Sequence, residues 1–505
     1  MDTTPYWFDT APIREFPKLE RDLEVDVAVI GGGITGITAA YLLQQSGASV
    51  ALLEREQFVS RDTGHTTAHL TYVTDVRLSE LVRNFGENHA QAAWDAGLAA
   101  IQQIQENVKT EAIACELVSV PGYLHAPANA ADADEIERLK RDAELAAQFG
   151  FDARFLDQVP YVKAPGVRFA NQAKFHPRKY LAALLEIIAA KGAHVFAQSD
   201  VQEITDEPLS VNANGHSIRA KFVVIATHVP LQGVTGTVSA ALFQTKLAPY
   251  STYVVGAKIP RGSVPEASFW DTSDPYDYLR IDAHDDHDYA IYGGEDHKTG
   301  QGGDAGQHFA KLEKKLMELI PHAQIDHRWS GQVIETNDGL PFIGETAPRQ
   351  FVATGFAGNG MTFGTLAAMM ARDAFAGVQN PWRELFDVHR KKLHGGTWDY
   401  LRENKDYPFY FLKDRLARAE AESLESIRHG EGKIIKLHGE RVAAFRDENG
   451  ALSLKSAICP HMGCIVHWNE AERTWDCPCH GSRFKANGDV IAGPAEKGLA
   501  EPKER

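Results

Sequence analysis

Several things are scarce in this sequence, and each scarcity excludes something. No stretch approaches the ~20 consecutive apolar residues of a membrane span, so none is expected. The opening MDTTPYWFDTAPIREF has no basic segment leading into an apolar core. It does not read as a secretory or transit peptide, and a cytoplasmic location is the default expectation. Positive charge is in deficit: 52 Lys and Arg face 68 Asp and Glu, a net charge of -16. The acids are scattered rather than gathered in a tail, which argues against nucleic acid or an anionic membrane as partner and leaves small molecules or proteins. Repeats and low-complexity tracts are absent. Cysteine is too sparse for a disulfide scaffold, with 5 in 505 residues, yet four of these fall between Cys459 and Cys479. That clustering marks a site. The fifth, Cys115 in EAIACEL, has no Cys or His near it and reads as a small buried apolar residue.

What is present begins with length: 505 residues exceed one hydrophobic core and imply roughly two to four folding units. Val25 to Ile30 form a short β-branched run ending in glycines, ITGITAAYLLQQSG reads as a helix and ASVALLE as a second strand, together a βαβ unit. KFVVIATH at 221–228 and FVATGF at 351–356 resemble further buried parallel strands, so one sheet is spread over most of the first 375 residues. A helix-rich stretch near 75–160 and a strand-rich one near 233–330 separate them and would form a cap over a substrate. From about 380 to 427 the composition turns to charge plus aromatics: Trp398, Tyr400, Tyr407, Phe409, Tyr410 and Phe411 precede the helical LKDRLARAEAESLESI. A helical, aromatic docking linker is the expectation.

Gly31-Gly32-Gly33-Ile34-Thr35-Gly36 places GxGxxG directly after a strand and at a helix start, where backbone N–H groups meet a pyrophosphate. The register continues to Glu54 at the end of the second strand, where a carboxylate accepts ribose hydroxyl hydrogens. The segment Arg61 to Thr67 then supplies small and hydroxyl residues, including Gly64, His65, Thr66 and Thr67, suited to line a phosphate and flavin channel. Near the other end, Cys459-Pro460-His461 and Cys477-Pro478-Cys479-His480 offer two thiolates and two imidazoles. That is the ligand set of a Rieske [2Fe-2S] centre, Cys459 and Cys477 on one iron and His461 and His480 on the other. A tetrahedral zinc site uses the same ligand types, but zinc leaves the other two cysteines without a role.

With the glycine fingerprint, FHPRKYLAALL, VVIATH, TNDGLPFIG and ATGFAGNGMTFG in place, residues 20 to 375 resemble the D-amino-acid oxidase, glycine oxidase and sarcosine oxidase superfamily of FAD enzymes. The resemblance implies that Gly358, Asn359, Gly360, Met361 and Thr362 stand beside the isoalloxazine ring, at a helix N-terminus that favours negative charge on reduced flavin. Family members often have a histidine where Asn359 stands. Some relatives tether FAD covalently; here the expectation is non-covalent FAD, with His65 hydrogen-bonded in the phosphate loop. The cysteine-rich segment is similar to Rieske proteins of cytochrome complexes, which implies a loop-tying Cys464–Cys479 disulfide and a cluster hydrogen bond from Ser482. Phe484 stands where the high-potential members have tyrosine. One donor is therefore missing, and a potential below the top of the range of about -150 to +300 mV is expected.

The implied fold is an α/β FAD-binding Rossmann-type domain with an α+β substrate cap, followed by a small all-β Rieske domain. The expected boundaries are 1–378 for the FAD unit, 379–425 for the linker and 426–505 for the Rieske domain. Within the first unit, about 20–75, 160–232 and 331–378 would bind FAD, and 76–159 and 233–330 would form the cap. Fused chains of this kind imply dehydrogenation of an amine or amino acid, with electrons passing singly through the cluster to an external one-electron carrier. The alternatives are the reverse flow from an external donor, and a Rieske domain serving as sensor or docking module. Arg280 is a candidate for binding a substrate carboxylate, and Lys246 and His297 for facing the flavin.

Overall fold

The computed structural model describes residues 2–127, 132–229, 246–390, 420–421, 423–495 and 497–502. The aromatics from Trp398 to Phe411 and the expected linker helix as far as residue 419 lie outside them; of its remainder, Ala421 bridges to Ile435 and Leu424–Ser426 forms a short 3-10 turn. The β-branched run Leu23–Ile30 is the centre of an eight-stranded sheet, flanked in parallel by Val50–Leu53 and His216–Ile225. Val27, Ala28 and Val29 are fully buried, as a strand covered on both faces requires. The helix Ile34–Gln45 is buried nearly all round, its first ten residues included. It is sandwiched between this sheet and the helix Gly360–Phe375, which accounts for its lack of a polar face.

Both inserted stretches feed one second sheet of nine strands, in which Val118–His125 pairs in parallel with Ser268–Asp271. Three neighbouring segments outside those stretches join it: Gly166–Lys174 pairs with Val118–His125 and with His69–Leu70, and Gln324–Thr336 runs on past residue 330 beside Leu247–Ile259. The floor of the cap is thus continuous with the nucleotide-binding unit.

The C-terminal domain consists of a three-stranded antiparallel sheet (Gly432–Leu437, Glu440–Arg446, Leu452–Ser456) and a four-stranded one (His467–Asn469, Thr474–Asp476, Arg483–Lys485, Val490–Ala492). Cys459, Cys464, Cys477, Trp475 and Phe484 share its core. This domain is docked on the rest of the chain. Arg55 donates to the Ile491 carbonyl at 2.8 Å, Gln301 to that of Pro478 at 2.8 Å, and Gln332 to that of Gly481 at 2.9 Å. Lys485 pairs with Glu56 at 2.9 Å, and Ser330 donates to Glu472. No helix among the described residues is long and apolar enough to cross a membrane.

Candidate functional site

A cavity of about 300 Å3 runs from the first glycine turn, through the 53–67 region, to the cap. Gly31, Gly32, Gly33 and Thr35 line one end with Glu54. Gly31 has φ +108°, and a Cβ there would lie 2.3 Å from the Ala226 carbonyl oxygen; one on Gly36 would lie 1.8 Å from that of Gly31. Only glycine permits this close turn. Glu54 accepts from the Gly32 N–H at 2.7 Å and the Glu56 N–H at 2.8 Å, and burial raises its pKa. This cradle fits a dinucleotide: a turn without side chains at a helix start, with a fixed carboxylate across from it. Gly36 and Gly64 shape the turn from behind rather than line the cavity.

His65, Thr66 and Thr67 line the middle. The His65 Nδ1 lies 3.0 Å from the Arg61 carbonyl, and the His65 carbonyl accepts from Trp329 at 2.8 Å. At the cap end Gly358, Gly360 and Met361 face the cavity. Asn359 and Thr362 do not: Asn359 donates to the Val73 carbonyl at 2.9 Å and Thr362 to that of Thr71 at 2.9 Å. Their polar groups fix the 71–73 backbone.

None of the three substrate candidates, Arg280, Lys246 and His297, lines the cavity. Arg280 is 1% exposed and its donors are committed: Nε to Asp282 at 2.9 Å, and the terminal nitrogens to the carbonyls of Thr67 (2.9 Å), Ala68 (2.8 Å) and Phe175 (2.9 Å). It braces the loop behind the cavity. Lys246 lies over the Phe342 ring at 5.3 Å. His297 stacks against both Tyr253 and His308, with centroids 5.6 and 4.7 Å away, and burial pushes its pKa down to about 4.

The residues that do face the cap end are Asp75, Thr252, Trp270, Tyr276, Tyr278, Asp296, Gln332 and Glu335, none of them singled out by the sequence reading. One signal was available. Gly293-Gly294 interrupts a strand, a mark of close approach, and a Cβ on Gly293 would sit 2.3 Å from the Tyr278 ring. The missing side chain lets that ring lie across the strand. Tyr278 and Thr252 hydroxyls then meet at 2.8 Å. Asp75 accepts from the Gly358 N–H at 2.6 Å and from the Tyr276 hydroxyl at 3.4 Å. Burial, reinforced by Asp75, pushes the Asp296 carboxyl up to about 7.

In the C-terminal domain the Cys459 and Cys477 thiols are buried and hydrogen-bond each other, and this bond holds Cys459 below the usual thiol range. The His461 and His480 rings meet edge to face at 4.9 Å with both Nδ1 atoms buried. Burial lowers each to about 4, which leaves neutral imidazoles. Two adjacent thiols beside two neutral imidazoles fit a cluster with sulfur ligands on one iron and nitrogen on the other. Cys464 and Cys479 form a disulfide, S–S 2.08 Å, whose sulfurs lie within 4.8 Å of the Cys477 sulfur. Ser482 is fully buried, accepts from the Ala495 N–H at 2.9 Å and hydrogen-bonds Cys459.

Two domains meet at the cavity. Ile491, Ala492, Gly493 and Ala495 of the C-terminal domain form part of its wall. Gln332 lines the cavity and donates to the carbonyl of Gly481, the residue after His480.

Residues 26–374 match the family model for FAD dependent oxidoreductase, and residues 418–503 that for the Rieske [2Fe-2S] domain. A Bacillus subtilis protein titled "Putative Rieske 2Fe-2S iron-sulfur protein YhfW" is 34% identical over 98% of this chain and 97% of its own length. The iron-sulfur subunit of the cytochrome b6-f complex of Chlorobaculum tepidum is 41% identical over 14% of this chain and 37% of its own. In fold, the chain is similar to glycine oxidase from Geobacillus kaustophilus, with TM-score 0.61 and 18% identity over 73% of this chain and 99% of that one.

Proposed function

The chain belongs to the FAD dependent oxidoreductase family and carries a C-terminal Rieske [2Fe-2S] domain, and from that premise we propose that it dehydrogenates an amine or amino acid and passes the electrons singly to an external carrier. FAD supplies a two-electron acceptor and the cluster a one-electron one. In this reading Gly31, Gly32, Gly33, Thr35 and Glu54 hold the nucleotide without a covalent bond, Gly358, Gly360 and Met361 sit by the ring, and Cys459, His461, Cys477 and His480 ligate the cluster. The units are then about 1–378 and 426–505. The observation that carries the reading is the shared wall: a residue of the flavin cavity, Gln332, is hydrogen-bonded to the loop bearing two cluster ligands. A carrier on the same chain is always at high effective concentration. The domain contact also keeps water from one side of the cavity.

The test is anaerobic mixing with a panel of amines and amino acids, followed by absorbance. Flavin bleaching by substrate and appearance of reduced-cluster bands support the proposal; reduction only by an added donor supports the reverse flow. Cys477→Ser is expected to lose iron and sulfide, keep substrate bleaching and lose turnover of a one-electron acceptor. Acceptor turnover at the wild-type rate in that variant would exclude the relay.

A further inference from the structure

Part of the cavity wall between the glycine turn and the cap end is a loop, 59–68, held in a shape that its own residues disfavour. Val59 and Ala68 bracket it, and both are non-glycine residues in the left-handed region, with φ +54° and +55°. Val59 is β-branched and so the more strained of the two. Such residues persist only where the surroundings over-determine them, and they gather at functional sites. Here a buried arginine grips each carbonyl: Arg178 donates to that of Val59 at 2.9 Å and Arg280 to that of Ala68 at 2.8 Å.

At the Ala68 end, four successive carbonyls are held by donors outside the cavity. That of His65 accepts from the Trp329 indole at 2.8 Å, that of Thr66 from the Trp7 indole at 2.6 Å, and those of Thr67 and Ala68 from Arg280 at 2.9 and 2.8 Å. His65, Thr66 and Thr67 line the cavity, whereas Trp7, Trp329 and Arg280 stand behind it. In a planar trans peptide the N–H points opposite to the C=O. Drawing these carbonyls backward therefore turns the N–H ends of the same peptides toward the cavity, an electropositive surface made of backbone. Trp7 comes from the short helix Tyr6–Thr10, ahead of the residues matched by the family model. It is fully buried, with the Arg280 guanidinium 5.2 Å from its ring. Its segment is pinned by Thr10, whose hydroxyl lies 2.9 Å from the His176 Nε2, and by Arg178, which donates to the Ala11 carbonyl at 2.8 Å. Arg178 thus ties this segment to the far end of the same loop.

We infer that residues 5–11 are a strap belonging to the cofactor site, and that Trp7, together with Trp329 and Arg280, is a positioning residue that keeps the 65–67 peptides presenting their N–H ends to the bound flavin, where they favour the negative charge of its reduced form. None of the three touches the cofactor; each acts through the backbone it holds. The inference needs FAD in the cavity and is the same for either direction of electron flow.

Its test needs no turnover. Trp7→Phe keeps an aromatic ring and removes the donor to Thr66. The flavin potential of the full-length, FAD-loaded protein would be titrated anaerobically by absorbance, with the cluster potential read in the same samples by electron paramagnetic resonance. The expected result is a reduction equilibrium of the flavin about three- to tenfold less favourable, the net worth of one hydrogen bond, or about 15–30 mV lower for a two-electron couple, with the cluster potential unchanged. Phe8→Leu alters the packing of the same strap, where the Phe8 ring lies 4.1 Å from the Arg178 guanidinium, and spares the donor; it is expected to leave the flavin potential where it was. An unchanged flavin potential in a Trp7→Phe protein of full FAD content would overturn the inference, as would an equal shift in Phe8→Leu. If Trp7→Phe retains no FAD, Trp329→Phe, which frees the neighbouring His65 carbonyl, is read in its place. Loss of FAD from both would overturn the inference, because the loop would then be needed to hold the cofactor rather than to set its potential. The expected shift without bleaching by any amine would leave this inference standing and overturn the dehydrogenase reading instead.

Discussion

Ser482→Ala should lower the potential of the cluster, by an amount its surroundings bound. Ser482 is fully buried, and because its oxygen accepts from the Ala495 N–H, its own hydrogen is left for Cys459. A hydrogen bond to a charged group is worth about 1.5–3 kcal/mol. For a one-electron couple, at 59 mV per tenfold, that converts to a ceiling of about 65–130 mV. Only the difference in bond strength between the two redox states counts, so a shift of tens of millivolts is expected. The sign is fixed: the reduced centre carries the extra negative charge and gains more from the donor, so losing the donor disfavours reduction. The same change strands the buried Ala495 N–H, at a cost of about 1–3 kcal/mol in stability. Phe484→Tyr, in a core shared with Cys459 and Cys477, should shift the potential upward. The assay is a redox titration of the full chain followed by electron paramagnetic resonance. An unchanged potential in a Ser482→Ala protein with full iron and sulfide would refute the reasoning.

Two further outcomes are expected. Gly36→Ala should abolish FAD binding, read from the flavin-to-protein absorbance ratio, while iron content persists, because its Cβ has no room against the Gly31 carbonyl. Arg280→Leu should cost at least about 1–3 kcal/mol in chemical denaturation, because the carbonyls of Thr67, Ala68 and Phe175 lose their donor while Asp282 keeps Lys174 at 2.7 Å; an unchanged stability with a raised KM would favour the carboxylate-binding role.

The glycine turn and the two Cys/His loops were legible because their pattern is local: Gly31 to Gly36 form one turn, and Cys459, His461, Cys477 and His480 occur in two short loops. The cap end was not legible. Asp75, Asp296, Tyr276 and Gln332 lie far apart in sequence and converge only through pairings such as Tyr278 with Gly293 and Ser251 with Gln332. Arg280 shows the same limit from the other side. It shares a strand face with Tyr278 by the two-residue period, yet the step of about 6.6 Å along the strand takes it beneath the 67–68 loop. Asn359 looked functional from its place in a helix-start motif, whereas its amide serves the backbone of a loop nearly 300 positions earlier.

The shared wall also ties the holding of the cofactor to the docking of the C-terminal domain. Ile491, Ala492, Gly493 and Ala495 close part of the dinucleotide channel, and Arg55, next to Glu54, is tied to the Ile491 carbonyl. Lifting the C-terminal domain would therefore open that side of the channel to a molecule as long as FAD, for entry and for release alike. Flavin retention becomes a property of two domains, and a lesion that unfolds the iron-binding loops, far from the glycine turn in sequence, should speed the loss of FAD.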